Sequence, residues 1–188
     1  TSDSQVEFVR SGLDTVPGTY DINVTQAATQ GQLAGGAALA AGGFDITESN
    51  DELSLSVNGD IAVNLQLTQG TGLSRQDLLD DIQSQLDGNN ALNAAGVSVQ
   101  VGLDADDKIT FTSSKYGSES SVSLSSAEDA ATFGLDSATS ADGLDVAGTI
   151  NGRAAEGDGQ VLYLGRGDGE ASGLQVRILG DQTGDRGS

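Results

Sequence analysis

Residues 53–67 confine the fold more than any other stretch of this chain. Leu53, Leu55 and Val57 alternate with Ser54 and Ser56, Asn58-Gly59 follows, and Ile61, Val63, Leu65 and Leu67 resume the alternation. An apolar residue at every second position lines one face of a strand, whereas a helix needs spacings of three and four. Asn and Gly both tolerate the positive φ of a type I′ turn, so the segment predicts a β-hairpin with one buried face.

The same alternation returns along most of the chain. Val6 and Phe8, and less regularly Arg10, alternate with Glu7 and Val9; a turn over Asp14 to Gly18 holds the single proline, Pro17. Tyr20, Ile22 and Val24 then oppose Asp21, Asn23 and Thr25. Further strands are expected at Val97, Val99 and Val101, at Ile109 and Phe111, and at Val122 and Leu124. In the last part Leu144, Val146 and Ile150 lead to a second hairpin signal, Asn151-Gly152, before Val161 with Tyr163 and then Leu174, Val176 and Ile178. Strands polar on one face suit antiparallel sheets with one side on a core.

The period changes clearly once. Ser74 is a good N-cap, Asp77 stands three residues on, and Leu78, Leu79, Ile82 and Leu86 fall on one helical face before Gly88 ends it, with Asn89 and Asn90 expected in the turn that follows. A second, shorter helix is expected over Ala127–Phe133, capped by Ser126, with Glu128 and Asp129 near its positive end. Gly31 to Gly43, with an Ala-rich centre broken by glycines, reads as a loop or hinge and the first crossing between two units.

Composition narrows the chemistry. Hydrophobic residues make up 36% and aromatics 4%, so Val, Ile, Leu and Ala must build the core, and two small cores suit the 188 residues better than one large one. The net charge of −20 opposes binding to nucleic acid or anionic membranes. No apolar run approaches the ~20 residues that span a bilayer, and no secretory signal is visible. With no Cys and no His, thiolate nucleophiles, disulfides, the commonest metal ligand and the usual neutral-pH base are all missing. Carboxylate acid–base work or Ser–Lys chemistry is what remains open to an enzyme.

The residues that could do such work have simpler readings. Asp104, Asp106 and Asp107 lack the bidentate Glu and turn Gly of a calcium loop and read as an acidic turn. Glu156, Asp158, Asp168 and Glu170 read likewise; a glycosidase pair would need two carboxylates roughly 5–10 Å apart across a sugar cleft, and most aromatics here sit at strand positions. Arg166-Gly167-Asp168 is a tripeptide that some adhesion receptors bind, but it lies in a Gly-rich turn. Lys108 and Lys115 have no Ser at nucleophile spacing, and Gly152, Gly157 and Gly159 lie between strands, not before a helix as a phosphate loop would. The expectation is no catalytic, cofactor-binding or metal-binding residue, and no cofactor.

Three stretches, in order, resemble one family. Asp145 to Leu164 (DVAGTINGRAAEGDGQVLYL), followed by Ala171-Ser172-Gly173-Leu174 and Gly184-Asp185-Arg186-Gly187, is similar to the segment of flagellar filament-capping proteins (the FliD or second hook-associated protein family) that leads back to their C-terminal helical half. Gly18 to Gln30 carries the same resemblance, and Leu53 to Lys115 resembles the insertion motif that flagellins and hook-associated proteins share. The resemblance implies an α+β, mostly β fold: two small antiparallel β-rich domains, one inserted in the other, with one clear helix near 74–87. Residues 1–38 plus 140–188 would form the discontinuous β domain and 44–138 the inserted α+β domain.

The same resemblance implies a structural protein, outside the cell at the flagellum tip, that self-associates into a cap and promotes flagellin polymerisation. Flagellin and hook-associated proteins would be its partners, with host mucin or cell surface as a further contact; nucleic acid and membrane insertion are not expected. The family's coiled-coil helices would lie outside these residues. Two alternatives stay open: the outer variable domain of a flagellin or another hook-associated protein, and an adhesin or glycan-binding module.

Overall fold

A computed structural model describes residues 2–188, and the chain divides into two compact units. Unit 1 takes the chain through residue 29, a short return at 116–118, and 143–188; unit 2 takes 30–115 and 119–142. Unit 2 is thus inserted in unit 1, and the first and last segments of the chain belong together.

Unit 1 is a seven-stranded antiparallel sheet, with strands numbered along the whole chain. β1 (Val6–Arg10) and β2 (Ile22–Gln26) come from the first segment; β12 (Ala147–Ile150), β13 (Arg153–Asp158), β14 (Val161–Tyr163), β15 (Gln175–Ile178) and the two-residue β16 (Gly184–Asp185) come from the last. Their order is β1-β15-β14-β13-β12-β2-β16. Val6 stands opposite Ile178 and Ile22 opposite Ile150, so the two distant segments share one core with Val24, Leu162 and Val176. Only Asn151 and Gly152 separate the paired Ile150 and Arg153, and both take positive φ (51° and 74°), as the hairpin signal requires.

The two ends of that sheet are tied by one buried side chain. Arg186, 4% exposed, donates from Nε to Asp3 Oδ2 at 2.7 Å, from Nη2 to Gln5 Oε1 at 2.7 Å and from Nη1 to the Gln182 carbonyl at 2.8 Å. The guanidinium thereby closes the edge of β1 onto the segment leaving β16. It also holds the Asp3 carboxyl below its ordinary range.

Unit 2 contains three small sheets around a larger core. β5 (Glu52–Val57) pairs with β6 (Ile61–Gln66) and with β10 (Val122–Ala127). β3 (Gln30–Ala38), β8 (Val99–Leu103), β9 (Lys108–Tyr116) and β11 (Thr139–Ala141) form a second sheet in the order β11-β3-β9-β8, and β4 (Gly42–Ile46) pairs with β7 (Gly70–Ser74). Helix α1 (Arg75–Asp87) starts with a capping box, Ser74 and Asp77 bonding each other's backbone N–H, and buries Leu78, Ile82 and Leu86. The Asn58-Gly59 hairpin forms with Leu55 opposite Val63, but its loop holds three residues, since Val57 pairs with Ile61. Asn58 is also bonded in both directions to Ser121, which ties the turn to the β10 side.

Three local expectations fail. Gly31–Gly43 is not a loop: its first half is β3, and β4 begins at Gly42. The glycines there serve close backbone approach, because a Cβ on Gly31 would lie 2.3 Å from the Ser120 carbonyl oxygen and one on Gly36 2.2 Å from that of Asp136. The helix over Ala127–Phe133 is replaced by turns, since Ser126 and Ala127 stay paired with Ser54 and Leu53 on β5; seven residues offer little helix to compete with that pairing. Conversely, a second helix α2 (Asn90–Ala95) forms where only a turn is expected, with Asn89 accepting from the Ala91 and Leu92 amides and Gly96 ending it at φ 62°.

Candidate functional site

The acidic groups singled out from the sequence are dispersed. Asp104 accepts from the amides of Asp106 (2.8 Å) and Lys108 (2.9 Å), making an Asx-type turn between β8 and β9, and Asp107 pairs with Arg75 at 2.9 Å. Glu156 and Asp158 lie on β13; the neighbouring Glu156 carboxylate, through hydrogen bonding and charge, pushes the Tyr163 phenol above its usual range. Asp168 precedes the 3-10 turn at Gly169–Ala171 and Glu170 lies within it. Arg166 and Gly167 are exposed in the preceding turn, with Gly167 at φ 88° and its N–H on Ser172 Oγ at 2.8 Å. Lys108 and Lys115 lie on β9. Among the described residues no three His, Cys, Asp or Glu side chains are grouped to hold a metal ion, and no helix is long and apolar enough to cross a membrane.

Two features escape sequence reading because they depend on residues far apart in the chain. The first is a clasp inside unit 1. Asp145 accepts from Ser118 Oγ at 2.6 Å, from the Ser118 amide at 3.1 Å and from the Gly159 amide at 2.8 Å. The carboxyl is held below its ordinary range, chiefly by the Ser118 hydroxyl and then by the two amides, against the cost of its partial burial. The three-residue return at 116–118 is secured by this carboxylate and by the Gly117 N–H on the Thr29 carbonyl at 3.0 Å.

The second is a groove of about 560 Å³ at one end of the unit 1 core. The buried Ile22, Leu174 and Val176 form its base, and the exposed Phe8 and Val16, the half-buried Tyr20 and Ser188 also line it. Phe8 follows Val6 on the core-facing side of β1 and stands opposite Val176, yet it is 62% exposed where Val6 is 2%. The loop carrying Val16 is tied down: the Tyr20 hydroxyl donates to the Glu170 carbonyl at 2.8 Å and to that of Val16, the Val16 amide donates to Glu170 at 2.8 Å, and Thr15 Oγ1 donates to the Ser172 carbonyl at 2.6 Å. The sequence signal that could have revealed the groove is the run of Phe8, Val9, Leu13 and Val16, in which apolar residues continue into a turn with no alternation to bury them.

Comparison with known proteins separates sequence from fold. No protein-family model matches the chain, and no curated protein matches it in sequence. Solved structures do match. The D2-D3 domains of the flagellar cap protein FliD from Serratia marcescens superpose with a TM-score of 0.58 at 16% identity, over 94% of this chain and 92% of that one. The flagellar cap protein FliD from Bdellovibrio bacteriovorus gives 0.56 at 15% identity over 96% and 99%. The D1-D2-D3 domains of FliD from Escherichia coli give 0.59 at 20% identity, and there the match spans 98% of this chain but 54% of the other. Inserted and interrupted units alike, the chain has the fold of the D2–D3 domains of FliD flagellar cap proteins.

Proposed function

We propose that this chain is the outer-domain part of a flagellar filament cap, a structural protein that acts outside the cell at the filament tip and promotes flagellin polymerisation. The observation that carries this reading is a structural likeness covering both units and nearly the whole of two cap-protein chains, 92% of one and 99% of another. The discontinuous build supports it, since local similarity of one small sheet would not reproduce a sheet interrupted by a second unit. The chain's own chemistry is consistent with a scaffold: small side chains, short edges and an acidic surface suit closely packed sheets that resist stray edge-to-edge pairing.

Under this reading the partners are further copies of the full protein, flagellin and the hook-associated proteins. Contact with host mucin or cell surface is a separate consequence, read by mucin capture of the isolated chain. The reading of a flagellin outer domain is less well supported, because the neighbouring structures compared are cap proteins. Gold-labelled antibody raised against the 188 residues discriminates the readings on cells that make the protein. The cap reading expects label at filament tips, with deletion leaving flagellin monomers in the medium. Label along the filament would replace it with the flagellin reading, and label away from flagella would remove both.

A further inference from the structure

We infer that Asn151 is a site of spontaneous deamidation, converting to aspartate and isoaspartate in the folded protein, and that the same dipeptide at Asn58 is protected. Of the eight Asn residues only Asn58 and Asn151 precede Gly. The reaction begins with attack by the following backbone nitrogen on the side-chain carbonyl carbon. A Cβ on the following residue crowds that nitrogen, and Gly has none. In sequence the two sites are equals, and the fold separates them.

Asn151 is free to react. It and Gly152 are exposed, and nothing lies within 4 Å of where a Gly152 Cβ would stand. Among the described residues neither the Asn151 side chain nor the Gly152 amide has a hydrogen-bond partner. Asn151 also borders an open recess of about 240 Å³ that it shares with Arg153 and Glu170, so water reaches the amide from that side. Asn58 differs at the reacting group itself. It is half-buried, its Oδ1 accepts from the Ser121 amide at 3.2 Å, and its own amide donates to the Ser121 carbonyl at 2.9 Å. The Asn58 Cγ therefore cannot turn toward the Gly59 nitrogen until Oδ1 leaves Ser121.

The turn around Asn151 also admits the ring that must form. With φ 51° and 74°, Asn151 and Gly152 make the type I′ turn of a two-residue hairpin. Turning the peptide plane between them by roughly half a revolution gives type II′, the other turn that fits such a hairpin, so Ile150 and Arg153 stay paired. Type II′ mirrors type II and sets ψ of its first central residue at about −120°. For an L residue that ψ brings Cβ alongside the next nitrogen, as a five-membered ring requires. The Gly152 nitrogen, its proton taken by hydroxide or another solution base, then bonds to Asn151 Cγ. The Cγ–Nδ2 bond breaks, and the amide nitrogen leaves as ammonia with the proton returned by the base. Water opens the resulting imide at either carbonyl: at Cγ it restores the normal backbone as aspartate, and at the main-chain carbon it leaves the chain running through Cβ and Cγ as isoaspartate. Isoaspartate adds a backbone atom to a two-residue turn and should loosen the β12–β13 hairpin, whereas aspartate tolerates positive φ and should not. This assignment stands apart from the cap reading, and either can fail without the other.

The test holds the whole chain in mildly alkaline buffer, folded in one sample and unfolded by guanidinium chloride in another. Proteolysis and peptide mass spectrometry then follow the mass gain of the peptides containing Asn58 and Asn151 with time. In the folded chain Asn151 should convert at least about fivefold faster than Asn58, the ratio expected where one hydrogen bond of ordinary net strength must open first. In guanidinium chloride the two rates should draw level, because Gly follows both residues and Ser121 no longer holds Asn58. Equal rates in the folded chain, or a faster Asn58, would overturn the assignment. So would a difference that persists unchanged in the unfolded chain, or an Asn151 that stays intact when folded while the unfolded sample converts.

Discussion

The two units solve the problem of a finite sheet in opposite ways. Unit 2 carries seventeen acids against three bases, a net of −14, and exposes no large hydrophobic side chain among its described residues. Unit 1 carries eleven acids against five arginines, a net of −6, and exposes six. Unit 2 closes two of its sheet edges, β6 and β8, with side chains of its own helix. Gln85 accepts from the Gln66 amide at 2.9 Å and donates to the Gln66 carbonyl at 2.8 Å, as a further strand on β6 would. Gln83 does the same for β8, accepting from Val101 at 2.9 Å and donating to Val99 at 3.2 Å. Among its described residues unit 1 has no α-helix to do this, and Arg186 instead joins the start of β1 to the segment after β16. The lesson is that two sheets of one chain can be finished by different means, one by amide side chains of a packed helix and the other by a single buried guanidinium.

If unit 2 depends on a filled core, truncating that core should have the largest effect. Phe111 is fully buried in the cluster with Ile82 and Leu86, so Phe111→Ala should cost about 3–5 kcal/mol by leaving a cavity. Urea unfolding followed by circular dichroism would read it, and a loss below ~1 kcal/mol would show a core able to collapse around the gap. Unit 1 should respond most to its single closing residue. Arg186→Ala removes three hydrogen bonds from a buried guanidinium and should cost about 2–4 kcal/mol, with Arg186→Lys recovering only part because an ammonium cannot reproduce the planar fork. Calorimetry that showed no change in Arg186→Ala would remove the distinction between an edge held by one ion pair and edges held by a helix.

The helix caps should matter less individually. Gln85→Ala leaves the N–H and C=O of Gln66 without their amide partner, but both are near solvent, so about 1 kcal/mol is expected. Hydrogen exchange at the Gln66 amide should rise in that variant and not in Gln83→Ala, where the Val101 amide should respond instead. Uniform rises in both would mean that the helix simply loosens.

How much of this was legible beforehand follows from the range of each interaction. The hairpins at Asn58-Gly59 and Asn151-Gly152 and the capped helix from Ser74 are short-range patterns, written within a few residues and recovered as such. β3 was missed because its glycines answer to Ser120 and Asp136, some ninety to a hundred residues away, and a sequence window cannot see those backbones. The same holds for Arg186 with Asp3 and for Asp145 with Ser118, pairs that become neighbours only after the interrupted sheet has formed. The groove left a faint trace as apolar residues out of alternation, but its base, from Leu174 and Val176, lies at the far end of the chain.

The clasp at Asp145 offers the finest test of the contrast, because it ties down the short return of the chain within unit 1 and should have little bearing on unit 2. Ser118→Ala deletes the 2.6 Å hydroxyl bond but keeps the Ser118 and Gly159 amide bonds, so a loss of about 1 kcal/mol at pH 7 is expected. The effect should depend on pH in a definite direction. Asp145 is held below the ordinary carboxylate value of about 4, so the bonds to its charged form stabilise fully above that value and fade as pH falls through the lower folded one. The gap between the urea midpoints of the parent chain and Ser118→Ala should therefore be widest near neutrality and narrow in acid. A gap that stayed constant down to about pH 3 would mean that the hydroxyl stabilises unit 1 through something other than the Asp145 carboxylate.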